Sequence, residues 1–179
     1  MDTVTIIAQV IGIAAMMLTI LSMQCRSNRN FFICQELSGL LFMICFFMLN
    51  AWGGTFMNIF GIVRAEVLRH EKIAKSKLTL IGLLLLLGAM TAAMALISEE
   101  KWYLLLIVSI AQICGLCFMW SRNGKVIRTG QLCVVSPLWI IYNLLIPIPS
   151  IGGILTELIN ICSCLLALFR YRKIGFTER

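Results

Sequence analysis

Residues 52–77 read WGGTFMNIFGIVRAEVLRHEKIAKSK, and this stretch decides how often the chain crosses a membrane. Its first part, 52–68, is apolar but short and carries Asn58, Arg64 and Glu66. Its second part is basic, with Arg69, Lys72, Lys75 and Lys77. A helix needs about 20 residues to cross a bilayer core, so 52–68 reads either as a span bearing polar groups or as a re-entrant segment. Six further apolar stretches, at 4–23, 31–49, 77–98, 102–120, 129–146 and 149–170, come close to full length.

The charges arbitrate, because Lys and Arg concentrate in cytoplasmic loops. If 52–68 crosses, one face collects Arg26 and Arg29, then Arg64, Arg69, Lys72, Lys75 and Lys77, then Arg122, Lys125 and Arg128, and finally Arg170, Arg172, Lys173 and Arg179. Those are fourteen of the fifteen Lys and Arg; only Lys101, beside Glu99 and Glu100, falls on the other face. With six spans this segregation breaks. The expected fold is an all-α integral membrane protein of seven transmembrane helices, with the N-terminus outside and the C-terminus inside. The same asymmetry explains the formal net charge of +7 without recourse to nucleic acid.

Composition points the same way. Of 179 residues, 60% are hydrophobic and 13% charged, against about 25% charged in a soluble domain. The apolar surplus exceeds what a globule of this size buries, which argues against a soluble enzyme. The eight Cys lie mostly inside apolar runs, where a thiol acts as a small hydrophobe. The start, Met1-Asp2-Thr3, lacks the basic flank of a cleavable signal peptide. His70 is the single histidine and has no metal-ligand spacing around it. No Gly-rich phosphate loop or nucleophile arrangement is present. The expectation is therefore a non-enzyme with no catalytic residue, no metal and no cofactor. Its expected partners are the lipid bilayer and a small polar solute, not nucleic acid; a monomer and a homo-oligomer both fit.

An internal repeat gives the arrangement. A displacement of 96 residues aligns Met23 with Met119, Arg26 with Arg122, Gln35 with Gln131, Phe46 with Tyr142 and Leu49 with Leu145. Three extra residues around Pro147-Ile148-Pro149 then shift the displacement to 99, which aligns Gly53-Gly54 with Gly152-Gly153 and Ile62 with Ile161. A rival match of Ala8-Gln9 and Gly12 with Ala111-Gln112 and Gly115 needs 103 and does not run on into the next helix. The expected organisation is 3+1+3: a first three-helix repeat over 1–69, a cytoplasmic basic loop and linker helix over 70–101, a second repeat over 102–173, and a cytoplasmic tail over 174–179. One linking helix leaves the two copies in the same orientation, a parallel repeat. The linker run from Gly82 to Ile97 has almost no polar side chains and reads as lipid-exposed.

Polar groups at membrane depth are costly, and each is a functional-site candidate. Glu157 lies roughly 12 Å into the last helix at 1.5 Å per residue. Asn160 is one turn deeper, and the spacing of three puts both on one face. Asn58 takes the place of Glu157 in the first repeat. Structural hydrogen bonding between helices is the plainer explanation for the two asparagines. Glu36 and Arg64 are replaced together in the second repeat, by Leu132 and Ser163. Joint loss is what an ion pair predicts, since one partner alone would be an uncompensated charge. The expectation is a Glu36–Arg64 gate pair; the simpler alternative has Arg64 snorkelling to headgroups. In the sixth helix Trp139 and Asn143 share a face above Pro137, an aromatic beside an amide that suits a sugar ring. Trp52 and Trp102 read as interfacial belt residues.

The segments Ala8-Gln9 with Gly12, the basic loop with Arg26 and Arg29, Gly53-Gly54-Thr55 with Asn58 and Arg64, and Gly152-Gly153 with Glu157 and Asn160 resemble the YgjV family of bacterial inner-membrane proteins. More distantly, the 3+1+3 plan is similar to the SWEET, SemiSWEET and PQ-loop (MtN3-like) transporters. That likeness implies a midplane site between two repeats, with a pair of asparagines on the third and seventh helices bonding sugar hydroxyls. Asn58 and Asn160 resemble that pair, one turn out of register. The SWEET pattern also places a proline in four helices; here only Pro137 remains, and the proline-glutamine dipeptide is absent.

The function expected is a carrier for a small polar solute working by alternating access, with Asn58, Glu157, Asn160, Trp139 and Asn143 binding solute. A non-transporting membrane sensor or assembly protein is the alternative. A thiol oxidoreductase built on Cys114-Gly-Leu-Cys117 is a remote one, because the expected outer loops at 50–54, 99–101 and 146–150 hold no second cysteine pair.

Overall fold

The computed structural model describes residues 3–48, 52–74, 76–97, 101–145 and 151–176. Lys75, Glu99, Glu100, the Pro147–Pro149 insertion, Arg179 and the side chain of Trp52 lie outside the described residues. Helices α1 (Thr3–Gln24), α2 (Asn28–Met48), α3 (Trp52–Arg69), α4 (Glu71–Ala74) and α5 (Lys77–Ile97) are followed by α6 (Trp102–Trp120), α7 (Gly124–Gly130), a π-helical turn (Gln131–Val135), α8 (Ser136–Leu145) and α9 (Ile151–Arg170). No strand is among the described elements.

Five helices are long and apolar enough to cross a bilayer: Thr3–Gln24, Asn28–Met48, Lys77–Leu96, Trp102–Trp120 and Gly153–Arg170. Two expected spans stand apart from these for visible reasons. Helix α3 carries Arg64, Glu66 and Arg69 within its 18 residues. The run from Gly124 to Leu145 is one continuous helical path broken into short pieces by the π turn. Pro137 accounts for the break: it has no N–H and its ring collides with the carbonyl four residues back. The Ser136 N–H therefore bonds to the Gln131 carbonyl, five residues back, which is the π pattern.

The chain divides into two compact units, Met1–Ser22 with Phe32–Ser98, and Met23–Phe31 with Glu99–Arg179. In the first unit a polar ladder joins α1 to α2. Thr19 Oγ1 and Ser38 Oγ are 2.6 Å apart, Ser38 donates to the Ala15 carbonyl at 2.8 Å, and Gln35 donates to Ser22 Oγ at 2.7 Å. Such bonds substitute for hydrophobic driving force between helices in lipid. Small residues permit close approach: Gly12 meets the Cys45 sulfur, Gly39 meets Ile62, and Gly54 sits against the Phe46 ring. Helix α5 packs on α3, and Leu78, Leu85 and Leu96 point outward. Helix α1 likewise exposes Val4, Ile7, Val10, Ile13, Met17 and Leu21. Apolar faces turned outward on this scale are what a lipid surround satisfies.

In the second unit α6 and α9 both pack on α8 and on the π turn. Gly130 admits the Phe118 ring of α6, and Gly153 admits the Asn143 amide of α8. The turn from α6 into α7 places Arg122 at φ +53°, a left-handed conformation common just after a helix. Asn123 then caps α7, its Oδ1 accepting from the Lys125 and Val126 N–H groups at 3.0 and 3.3 Å.

Candidate functional site

The wide turn at Gln131–Val135 has a chemical consequence. Gln131 and Ser136 are five residues apart, and the turn brings them together: Gln131 Nε2 donates to Ser136 Oγ at 3.0 Å. Ser136 is fully buried and Gln131 nearly so. From α9, Glu157 comes within interacting reach of the side chains of Ser136 and Asn160. Asn160 is 2% exposed. Glu157 and Asn160 thus share a face, as their spacing predicts. The second carboxylate oxygen of Glu157 and the amide oxygen of Asn160 are enclosed and accept no hydrogen bond among the described residues. Gln131, Ser136 and Asn160, all buried, and the half-buried Glu157 therefore form one polar cluster on the π turn, α8 and α9. Gln131 and Ser136 were not foreseen as site residues. The available signal was Pro137, whose missing N–H breaks the helix next to Ser136.

The other expected solute residues behave differently. Asn58 Nδ2 donates to the Gly54 carbonyl at 2.8 Å, one turn back on its own helix. Asn143 Nδ2 does the same to the Trp139 carbonyl at 2.8 Å. The Trp139 ring packs edge-on to Tyr142 at 5.6 Å. Asn58 and Glu36 belong to the first unit, and Asn143, Glu157 and Asn160 to the second.

Glu36 has a partner, and it is Arg69 where Arg64 was expected. Arg69 Nη1 lies 2.9 Å from Glu36 Oε2, and its Nη2 lies 2.5 Å from Glu66 Oε2. His70 Nε2 is 3.0 Å from the other Glu66 oxygen. Arg64 is buried on α3 with its guanidinium 5.6 Å from the Phe60 ring. The reason is helical geometry: Glu66 and Arg69 are three apart and share a face, whereas Arg64, five residues before Arg69, lies about 140° round the helix. Cys114 and Cys117 are free thiols, and Cys117 points outward.

A family model described as Imp-YgjV, bacterial inner membrane protein, matches residues 6–174. The chain belongs to the Imp-YgjV family. No curated protein and no solved structure matches it. Membership and the five span-length helices make it a multi-pass protein of the bacterial inner membrane.

In this Imp-YgjV protein the second unit also holds a basic clamp that sequence reasoning missed. Arg128 is 1% exposed. Its guanidinium lies between the rings of Phe31 at 4.9 Å and Phe176 at 4.5 Å. Nε donates to the Met23 carbonyl at 3.2 Å, Nη2 to Cys25 at 2.7 Å and Nη1 to Gly124 at 3.3 Å. Gln24 donates to Ser163 Oγ at 2.8 Å, Tyr171 donates to the Gln24 carbonyl at 2.9 Å, and Asn28 donates to the Arg122 carbonyl. The segment Met23–Phe31 is thereby bolted to the second unit. Arg128 was counted only as a loop charge; nothing local in sequence marks it as buried.

Proposed function

We propose that this Imp-YgjV protein is a non-enzymatic carrier for a small polar solute, exposing a polar site at membrane depth alternately to the two faces. In this reading α3 and the α7–α8 path join the five long helices to make seven spans. The chain then forms a 3+1+3 parallel repeat with the N-terminus outside. The single observation that carries the proposal is the Gln131–Ser136–Glu157–Asn160 cluster. Counting from Ile151, Asn160 lies roughly 14 Å along α9, about half the thickness of a hydrocarbon core. One oxygen of the Glu157 carboxylate and the Asn160 amide oxygen, enclosed there without a donor among the described residues, are a cost that stability alone does not explain, and a solute hydroxyl or ammonium would supply donors. The π turn beside Pro137 is a place where the path through α7 and α8 can change register.

A membrane sensor or assembly role is the second reading. It draws on Asn58 and Asn143, each of whose side-chain amides donates one hydrogen bond to a carbonyl of its own helix. Uptake into proteoliposomes by a panel of sugars, amino acids and vitamins separates the two. The carrier reading expects at least one solute to enter, and its entry to fall in E157Q and in N160A. Uptake that both substitutions leave unchanged would sink the proposed site.

A further inference from the structure

Among its described residues the second unit carries many more basic than acidic side chains. Among its described residues the only acid is Glu157, which is enclosed in the cluster above. The same unit holds Arg26, Arg29, Arg122, Arg170 and Lys173, besides the buried Arg128. Between the start of α7 and the end of α9 lies a half-open cavity of about 510 Å³. Asn123, Lys125, Thr129, Tyr171 and Arg172 give it polar walls, with Leu168 and Phe176 as apolar ones.

The polar groups there divide into committed and available. Tyr171 donates to the Gln24 carbonyl, and Asn123 Oδ1 accepts from α7. Lys125, Thr129 and Arg172 are exposed, and no ion partner faces either cation among the described residues. What remains is mostly donors: an ammonium, a guanidinium and the Asn123 amide N–H, with the Thr129 hydroxyl able to donate or accept. A guanidinium suits two oxygens of one planar or tetrahedral anion, and a lysine adds a point charge. The cavity far exceeds the volume of one water or halide. Its wall is fixed: Arg26 donates to the Gly175 and Ile174 carbonyls at 3.2 and 3.3 Å, and Phe176 stacks on Arg128. Gly175 makes that wall possible, since its φ of +74° suits a residue without Cβ.

We propose that this cavity is a binding site for a phosphate group, held by Lys125 and Arg172 with Thr129 and Asn123 as neutral donors. The charge asymmetry assigns this end of the unit to the cytoplasmic face, where the leaflet surface is anionic. The phosphate belongs either to a lipid headgroup or to a free phosphorylated solute. The site stands apart from the carrier reading and does not depend on it.

Thermal unfolding of the full chain in nanodiscs tests it in two arms. One arm compares phosphatidylcholine alone with phosphatidylcholine plus phosphatidylglycerol. The other adds inorganic phosphate to phosphatidylcholine discs, with chloride at equal ionic strength as the control. K125Q/R172Q is set against R29Q/K173Q, which removes the same charge outside the cavity lining. Stabilisation of the parent protein by phosphatidylglycerol assigns a headgroup, and stabilisation by phosphate assigns a free ligand. Either effect requires roughly tenfold more anion in K125Q/R172Q and an unchanged amount in R29Q/K173Q. Equal weakening in both double variants would reduce the effect to the general field of the unit and overturn the site. No stabilisation by either anion would overturn it as well.

Discussion

Arg128 Nη2 donates to the carbonyl of Cys25 at 2.7 Å, joining residues 103 apart in the chain. The guanidinium is desolvated, and its return comes from three carbonyl acceptors and two ring faces. Truncation would leave carbonyls of Met23, Cys25 and Gly124 without that donor, at about 1–3 kcal/mol for each that water cannot reach. R128A is expected to lower the thermal midpoint in detergent sharply and to raise hydrogen exchange across 23–31. R128K keeps the charge but not the planar fork, so it recovers only part of the loss. Unchanged exchange over 23–31 in R128A would show that the clamp does not hold the loop.

The Glu36–Arg69 pair makes a separable claim. Both side chains keep some exposure, 16% and 29%, so the coupling is that of a partly solvated pair, about 0.5–1 kcal/mol. A double-mutant cycle of E36Q with R69Q should return that coupling, measured by thermal or denaturant unfolding. The cycle of E36Q with R64Q should be additive within about 0.5 kcal/mol. Coupling in the second cycle and none in the first would reverse the assignment.

Glycine contacts divide cleanly. A Cβ on Gly54 would run into the base of the Phe46 ring, and one on Gly130 into Phe118, while Gly61, Gly82 and Gly88 face open space. Overpacking costs about 1–3 kcal/mol, so G54A and G130A should unfold at lower temperature. G61A, G82A and G88A should be neutral or stabilising by up to about 1 kcal/mol, because alanine loses less backbone entropy in a helix. Equal effects at all five positions would mean that the close approaches at Gly54 and Gly130 are absent.

Ser136 tests the cluster without touching its carboxylate. It accepts from Gln131 Nε2 and lies within interacting reach of Glu157. S136A strands both, and leaving a buried polar group unmet costs about 1–3 kcal/mol. S121A removes an exposed hydroxyl bonded to the Phe118 carbonyl and should fall within about 0.5 kcal/mol of the parent. The comparison is read from thermal midpoints in the same detergent. If the two serines proved equivalent, Ser136 would not be a member of the cluster.

Much of this protein was legible in the chain itself. Apolar run length and the scarcity of charge determined a helical membrane protein, because a bilayer accepts backbone only when its hydrogen bonds are closed within the segment. The i, i+3 spacing placed Glu157 and Asn160 on one face, since helical periodicity is a local property. Short sequence signatures, Gly53-Gly54 and Gly152-Gly153 with the polar residues after them, pointed to the family that the match over 6–174 then showed.

Tertiary structure decided the rest. Which arginine meets Glu36 depends on the rotation of α3 against α2: Arg64 and Arg69, five residues apart, point about 140° from each other around the helix, and it is Arg69 that faces Glu36. That Gln131 meets Ser136, which in turn lies beside Glu157, follows from a π turn, whose five-residue spacing no α-helical template anticipates. That Arg128 is an internal clamp rather than a loop charge depends on Phe31, Phe176 and the Met23 and Cys25 carbonyls arriving from both ends of the sequence. Side chains near in space and far apart in the chain leave no local periodicity to read, and only packing brings their charges, rings and carbonyls within reach of one another.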